Sequence, residues 1–370
     1  MTDHRIYNLA KILVHYSTRV QPKDRVMIRG FPLEPVAEPL LKEVIREVLR
    51  AGGYPHLSMT PAGYLPLFLT EASDDQLEYI NPLARLTAEE FEVDIRITSS
   101  SNTHALHGHF GQRMCKVQQA AGDMIQRWME RSATGELRWV TTRYPTEANA
   151  QDAEMSMPEY VDFFYKSCYA DQDDPVAAWM ALRHQGQAIA EKLSGLEQFH
   201  LRGPDIDLTM SLRDRSFIMD SGQKNMPDGE IFTGPVEGSV EGWVRFSYPC
   251  IHLGTEVYGV ELTFDGGKVT KASELKNQEF LLQQLGIDQG AQFIGELGIG
   301  LNQAIQRFTK NMLFDEKIAG TIHLALGAGY PETGSLKKSA IHWDMLVDMQ
   351  KDAEIIADGE NIYKDGAFVF

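Results

Sequence analysis

The chain has 370 residues, 43% of them hydrophobic, enough to bury a large core and to favour two domains or one large one over a small module. Its 35 lysines and arginines face 52 acidic side chains, a net charge of −17, so it lacks the basic footprint that nucleic acid or anionic lipid requires. Three scattered cysteines, Cys115, Cys168 and Cys250, make neither a Cys-x-x-Cys pair nor a disulfide framework. No apolar run approaches the roughly 18 residues of a membrane span, and the first residues lack a signal-peptide pattern. A soluble, cytoplasmic protein with no nucleic-acid or membrane partner is expected.

From Tyr7 to Tyr16 apolar residues recur at helical spacing, and Arg25 to Arg29 reads as a strand. Pro35 opens a helix that stops at Gly52-Gly53, ahead of a strand from Tyr54 to Met59. Strand, helix and strand make a right-handed crossover unit. Two more strands, Val93 to Thr98 and Leu137 to Thr142, flank a helical stretch from Gly111 to Arg131. The first part of the chain is thus expected to be an α/β domain, residues 1–195, with its sheet built from crossover units. Met157 to Leu193 is helical and amphipathic and serves as the connection.

Beyond Phe199 the texture turns β-rich, with strands expected at Ile206 to Leu212, Phe217 to Asp220, Gly242 to Pro249, Glu256 to Phe264 and Lys268 to Lys271. Helices are expected at Lys276 to Leu285 and Leu301 to Arg307, a buried strand at Ala319 to Leu326, and a last hairpin near Ile355 to Phe370. The expected fold class is therefore α/β overall, with a second, β-rich α+β domain, residues 196–370.

Several catalytic patterns are absent: there is no His-Glu-x-x-His, no Gly-x-Ser-x-Gly and no Walker A loop. Gly327-Ala328-Gly329 follows a strand, but Glu332 stands where a dinucleotide fingerprint needs its third glycine. What remains is a series of metal donors set in apolar segments. Glu230 follows a Pro-Asp-Gly turn. Glu296 lies inside Gly295 to Gly300, where an unpaired buried carboxylate would be costly and a cation or arginine would offset it. His323 sits in the buried-looking strand. His342 and Asp344, two apart, project to one face of an extended segment. Singly, each is as compatible with a strand end or a hydrogen-bonded core histidine as with a ligand; together they meet the demand of a pair of Zn²⁺, Mn²⁺ or Co²⁺ ions. A second group, His104, His107 and His109, has no matching carboxylates and reads as a loop, at most a substrate-side contact.

At four stretches the chain resembles the metallo-aminopeptidase family typified by aminopeptidases T and S: Asn225 to Glu230, Gly295 to Asn302, Asp315 to His323, and Ser339 to Asp344. The resemblance implies an N-terminal α/β domain, a C-terminal catalytic domain and a homodimer. It implies two divalent ions (Zn, Co, Mn or Mg) on Glu230, Glu296, His323, His342 and Asp344, with Tyr330 at the active-site tyrosine position. The implied activity is release of N-terminal residues, often Leu, from peptides with a free N-terminus. Glu296 is the expected bridging ligand, and Tyr330 would ligate or donate a hydrogen bond to the oxyanion. Two alternatives stay open at this point: a mononuclear iron ring-cleaving dioxygenase of similar fold, needing only His323, His342 and Asp344, and a non-catalytic peptide- or metal-binding protein.

Overall fold

The computed structural model describes residues 3–106 and 111–370. His107 and His109 lie outside the described residues. The chain gathers into two units: Met1–Trp179 with Gly222–Pro227, and Met180–Ser221 with Asp228–Phe370. The change from helical to β-rich texture near residue 195 therefore falls inside the second unit, and the division runs through the helix Pro175–Leu193.

The first unit is built on a parallel sheet. Its strands are β1 (Arg25–Gly30), β2 (Tyr54–Met59), β3 (Val93–Thr98) and β4 (Arg138–Arg143), in the order β2-β1-β3-β4, with Asn225–Met226 added beside β4. From β1 the chain crosses through the helix Glu38–Arg50 to β2, and from β2 it returns to β3 on the other side of β1. The direction of strand addition thus reverses between β1 and β3. The expected helix Gly111 to Arg131 is two helices, Gly111–Ala120 and Gly122–Ala133, parted where Gly122 weakens the helical run.

The second unit holds two large antiparallel sheets and a two-stranded ribbon of Cys250–His252 with Thr255–Val257. One has eight strands, from Lys268–Ser273 at one edge to Ala367–Phe368 at the other. The other has five: β5 (Ile218–Asp220), β6 (Glu230–Thr233), β7 (Ile294–Gly300), β8 (Thr321–Gly327) and β9 (His342–Asp348), in the order β9-β8-β7-β6-β5. The sheets share one core, in which Leu297, Ile299, Ile322, Leu324, Trp343, Met345 and Val347 of the smaller sheet meet Leu201, Leu208, Val244 and Ile355 of the larger. This is face-to-face sheet packing.

Two expectations fail here. The helix at Leu301 to Arg307 does not form, because Asn302 spends its side chain on two backbone groups, one distant in sequence and one two residues on. Its amide donates to Asp228 O (2.7 Å) and its oxygen accepts from Ala304 N (3.0 Å), a competition that favours turns over helix. The span Glu256 to Phe264 is two strands, Thr255–Val257 and Glu261–Asp265, interrupted at Gly259 with φ +70°. Among the described residues no helix is long and apolar enough to cross a membrane, and the three cysteines are free thiols.

Candidate metal centre

Strand register assembles the site. Gly300 pairs with Glu230, Gly298 with His323, and Ala325 with both Glu296 and Asp344, while His342 pairs with Gly327. Paired residues share a face, so Glu230, Glu296, His323, His342 and Asp344 all project from one side of the sheet. Their sequence neighbours Leu297, Ile322, Leu324, Trp343 and Met345 point into the core. The same alternation that makes the strands amphipathic thus separates chemistry from packing.

The donors are close and mostly buried. Glu230, Glu296 and His323 are 6%, 4% and 1% exposed. His323 Nε2 lies 3.2 Å from Glu230 Oε2 and 3.3 Å from Glu296 Oε1, and His342 Nε2 lies 3.3 Å from Glu296 Oε2 and 3.4 Å from Asp344 Oδ1. Glu296 therefore stands between the two imidazoles and presents one oxygen to each. His342 Nδ1 donates to Ala328 O at 2.8 Å, which fixes the tautomer and leaves Nε2 as the ligating nitrogen. Tyr330 packs its ring edge on His342 and Phe232, with centroids 5.1 and 5.3 Å away.

A lysine completes the cluster. Lys317, with no exposed surface, donates from Nζ to Glu230 Oε1 (2.5 Å) and Glu316 Oε1 (2.5 Å), with Asp228 Oδ1 at 3.7 Å. Burial disfavours its charge, but the three carboxylates more than reverse this and hold it protonated. Neither Glu316 nor Lys317 was singled out from the sequence, although an acid beside a lysine between apolar Leu313-Phe314 and Ile318-Ala319 is the pattern that would have flagged them. His104, by contrast, belongs to the first unit, and no metal-capable group among the described residues includes it.

Two triads can each hold a cation: Glu230, Glu316 and His323, and Glu296, His323 and Asp344, with donor atoms in each within 4.8 Å of one another. The residues fit metal ions on a separate ground. Glu230 Oε2, Glu296 Oε2 and Asp344 Oδ1 are buried without a hydrogen-bond partner, a costly state for polar atoms that coordination would relieve. Burial raises the pKa of Glu230 and Glu296, whereas His342 and His323 outweigh burial at Asp344 and lower its pKa.

The histidines answer this excess of negative charge. Burial alone would lower both, but Glu230 and Glu296 lift His323 to about 9, and Asp344 and Glu296 lift His342 to about 10. A cation must displace those protons before the rings can ligate. Apparent affinity for Zn²⁺ is therefore expected to climb with pH to about 9, up to about tenfold per unit for each proton released. Competition with a chelating dye across that range measures it, and a flat profile would contradict the assignment of the two rings as ligands.

One glycine makes the geometry possible. A Cβ on Gly298 would sit 2.0 Å from the His323 ring, so the bare backbone is what allows the imidazole to lie across the neighbouring strand. Gly298→Ala is expected to push His323 out of place and cut kcat/KM by about 10²-fold, while thermal unfolding shifts far less. Turnover equal to wild type would mean that His323 does not need this position.

A model of the thermophilic metalloprotease family (M29) matches residues 2–368. Aminopeptidase AmpS of Bacillus subtilis is 25% identical, covering 73% of this chain and 75% of its own length. Aminopeptidase 2 of Geobacillus stearothermophilus is 26% identical over 98% of this chain and 97% of its own. The solved structure of wild-type AmpT from Thermus thermophilus superposes with a TM-score of 0.82 at 21% identity, covering 99% of both chains, which establishes the shared fold.

Proposed function

Because the chain belongs to the thermophilic metalloprotease family, we propose that it is a metal-dependent aminopeptidase that releases N-terminal residues from peptides through a site loaded with two divalent ions. As such it is a hydrolase of the exopeptidase class. The observation that carries the two-ion reading is Glu296, which presents one oxygen to His323 and the other to His342, beside a second triad built on Glu230 and Glu316. Glu230, Glu316 and His323 would hold one ion, and Glu296, Asp344 and His342 the other.

Such ions, when bound, polarise the scissile carbonyl and lower the pKa of a water toward neutrality. The remaining roles fall to the chain itself. Burial first, and then the charges of Glu296 and Asp344, raise the pKa of the Tyr330 phenol, so it stays protonated and can donate to a developing oxyanion. Lys317 holds Glu230 and Glu316 by one oxygen each and leaves their other oxygens to face the site. Phe232 and Tyr330 form an apolar wall beside the carboxylates, which suits a leucine-like side chain at the substrate N-terminus. The oxygenase alternative is not favoured, since it leaves Glu230 and Glu316 without a role. Free thiols and the absence of a spanning helix among the described residues support a cytoplasmic location.

The test is turnover of leucine p-nitroanilide by the purified chain, with metal analysis of the same sample. About two divalent ions per chain, activity abolished by a chelator and restored by Zn²⁺, Co²⁺ or Mn²⁺, and no cleavage of the N-acetylated substrate are expected. A fully loaded protein that cleaves neither substrate would refute the proposal.

A further inference from the structure

The first unit carries a polar crevice remote in sequence from every residue of the candidate metal centre. It is a cavity of about 110 Å³ lined by Phe31, Pro32, Thr98, Ser99, Ser100, Arg143 and Asn149. Since a water needs only roughly 10–15 Å³ of such space, the crevice has room for a small oxyanion. Its walls come from the residues that follow β1, from the end of β3 and the residues after it, from the last residue of β4 and from the helix Glu147–Asp152 beyond it. That is the carboxyl edge of a parallel sheet at the point where strand addition reverses, the place where open α/β sheets offer a ligand crevice.

The chemistry of the lining is one-sided. The guanidinium of Arg143 has no hydrogen-bond or ion-pair partner among the described residues, and burial lowers its pKa from the ordinary arginine value. Asp152, which acts on it electrostatically, forms no ion pair with it. Asn149, 5% exposed, accepts from Thr146 Oγ1 (2.9 Å) through its oxygen and keeps both amide protons unspent. Ser99, 2% exposed, accepts from Glu34 N (2.7 Å) and keeps its hydroxyl proton unspent. Glu34 itself is engaged by Ser101 Oγ at 2.7 Å. Three donors thus border one cavity with no acceptor matched to them, a set that a carboxylate or phosphate accepting from the guanidinium fork would complete.

We propose that this crevice is a second ligand site, selective for a small oxyanion held by the Arg143 guanidinium, the Asn149 amide and the Ser99 hydroxyl. Carboxylates of small acids and inorganic phosphate share the required chemistry. Thermal unfolding of the full metal-loaded chain, at constant ionic strength, separates them with two probes: sodium phosphate and N-acetylglycine, which has no free amine. At about tenfold excess over Kd, the preferred anion is expected to raise the unfolding midpoint by roughly 2–4 °C, and the probe that acts identifies the source. Arg143→Met is expected to lose the shift and to keep leucine p-nitroanilide turnover unchanged. Asn149→Leu, which leaves the charge intact, is expected to weaken the shift and carries the test if the first variant does not fold. An equal shift in wild type and in the Arg143→Met or Asn149→Leu protein, or no shift with either anion, overturns the proposal.

Discussion

Glu296→Gln is expected to reduce kcat by about 10³-fold or more and to lower the metal content of the purified chain. The substitution is nearly isosteric, so packing is preserved, and what is lost is a negative charge placed between His323 and His342 at 3.3 Å from each. Burial raises the pKa of this carboxyl, and the two histidines pull it back down, so its ionised form depends on the cationic groups that surround it. In the metal-free protein the same charge balances the two imidazoliums, so the variant is also expected to unfold at a somewhat lower urea concentration. Measuring ion content and turnover in buffer without urea, where the variant remains folded, separates a lost ligand from a lost structure. A variant that keeps two ions and full turnover would remove Glu296 from the mechanism.

Lys317→Met is expected to cost the metal-free protein about 3–5 kcal/mol, the range for breaking a buried ion pair by deleting one partner. Asp228, Glu230 and Glu316 would be left around an uncharged side chain, with Asp228 and Lys317 fully buried and Glu230 nearly so. Unfolding in urea with a chelator present measures the loss. Adding Zn²⁺ should return more stability to this variant than to wild type, because the cation then supplies the positive charge the lysine held. Equal gains in both would show that Lys317 and the cation do not share the same carboxylates.

The fold was legible where periodicity spoke. The strand–helix–strand start, the strands at Val93 and Arg138 and the buried strand of His323 follow from alternation and glycine stops. Ile294–Gly300 was harder to read as a strand, because four of its residues are glycine or glutamate and its extended form rests on pairing with β6 and β8. The non-helical run after Leu301 was hidden because Asn302 bonds to Asp228, far away in sequence. The site divides the same way. Glu230, Glu296, His323, His342 and Asp344 reach one face through strand alternation, which a sequence displays. Glu316 and Lys317 come from a turn after the short helix Met312–Asp315, and Lys317 meets Glu230 across 87 positions, which no local pattern encodes. The resemblance to known peptidases named the first five and was silent on the lysine.

Because ligands and core residues alternate along β7, β8 and β9, the length of these strands is a constraint on how the gene can change. One codon gained or lost inside any of them would exchange the two faces, sending histidine or carboxylate into the apolar interior and leucine into the site. Point substitutions on one face and length changes on the other side of a strand end are the permitted routes. Diversification of substrate preference should therefore collect in the segment that joins β8 to β9, beyond Ala328 and Tyr330, which the site itself uses, where length changes lie outside the strands.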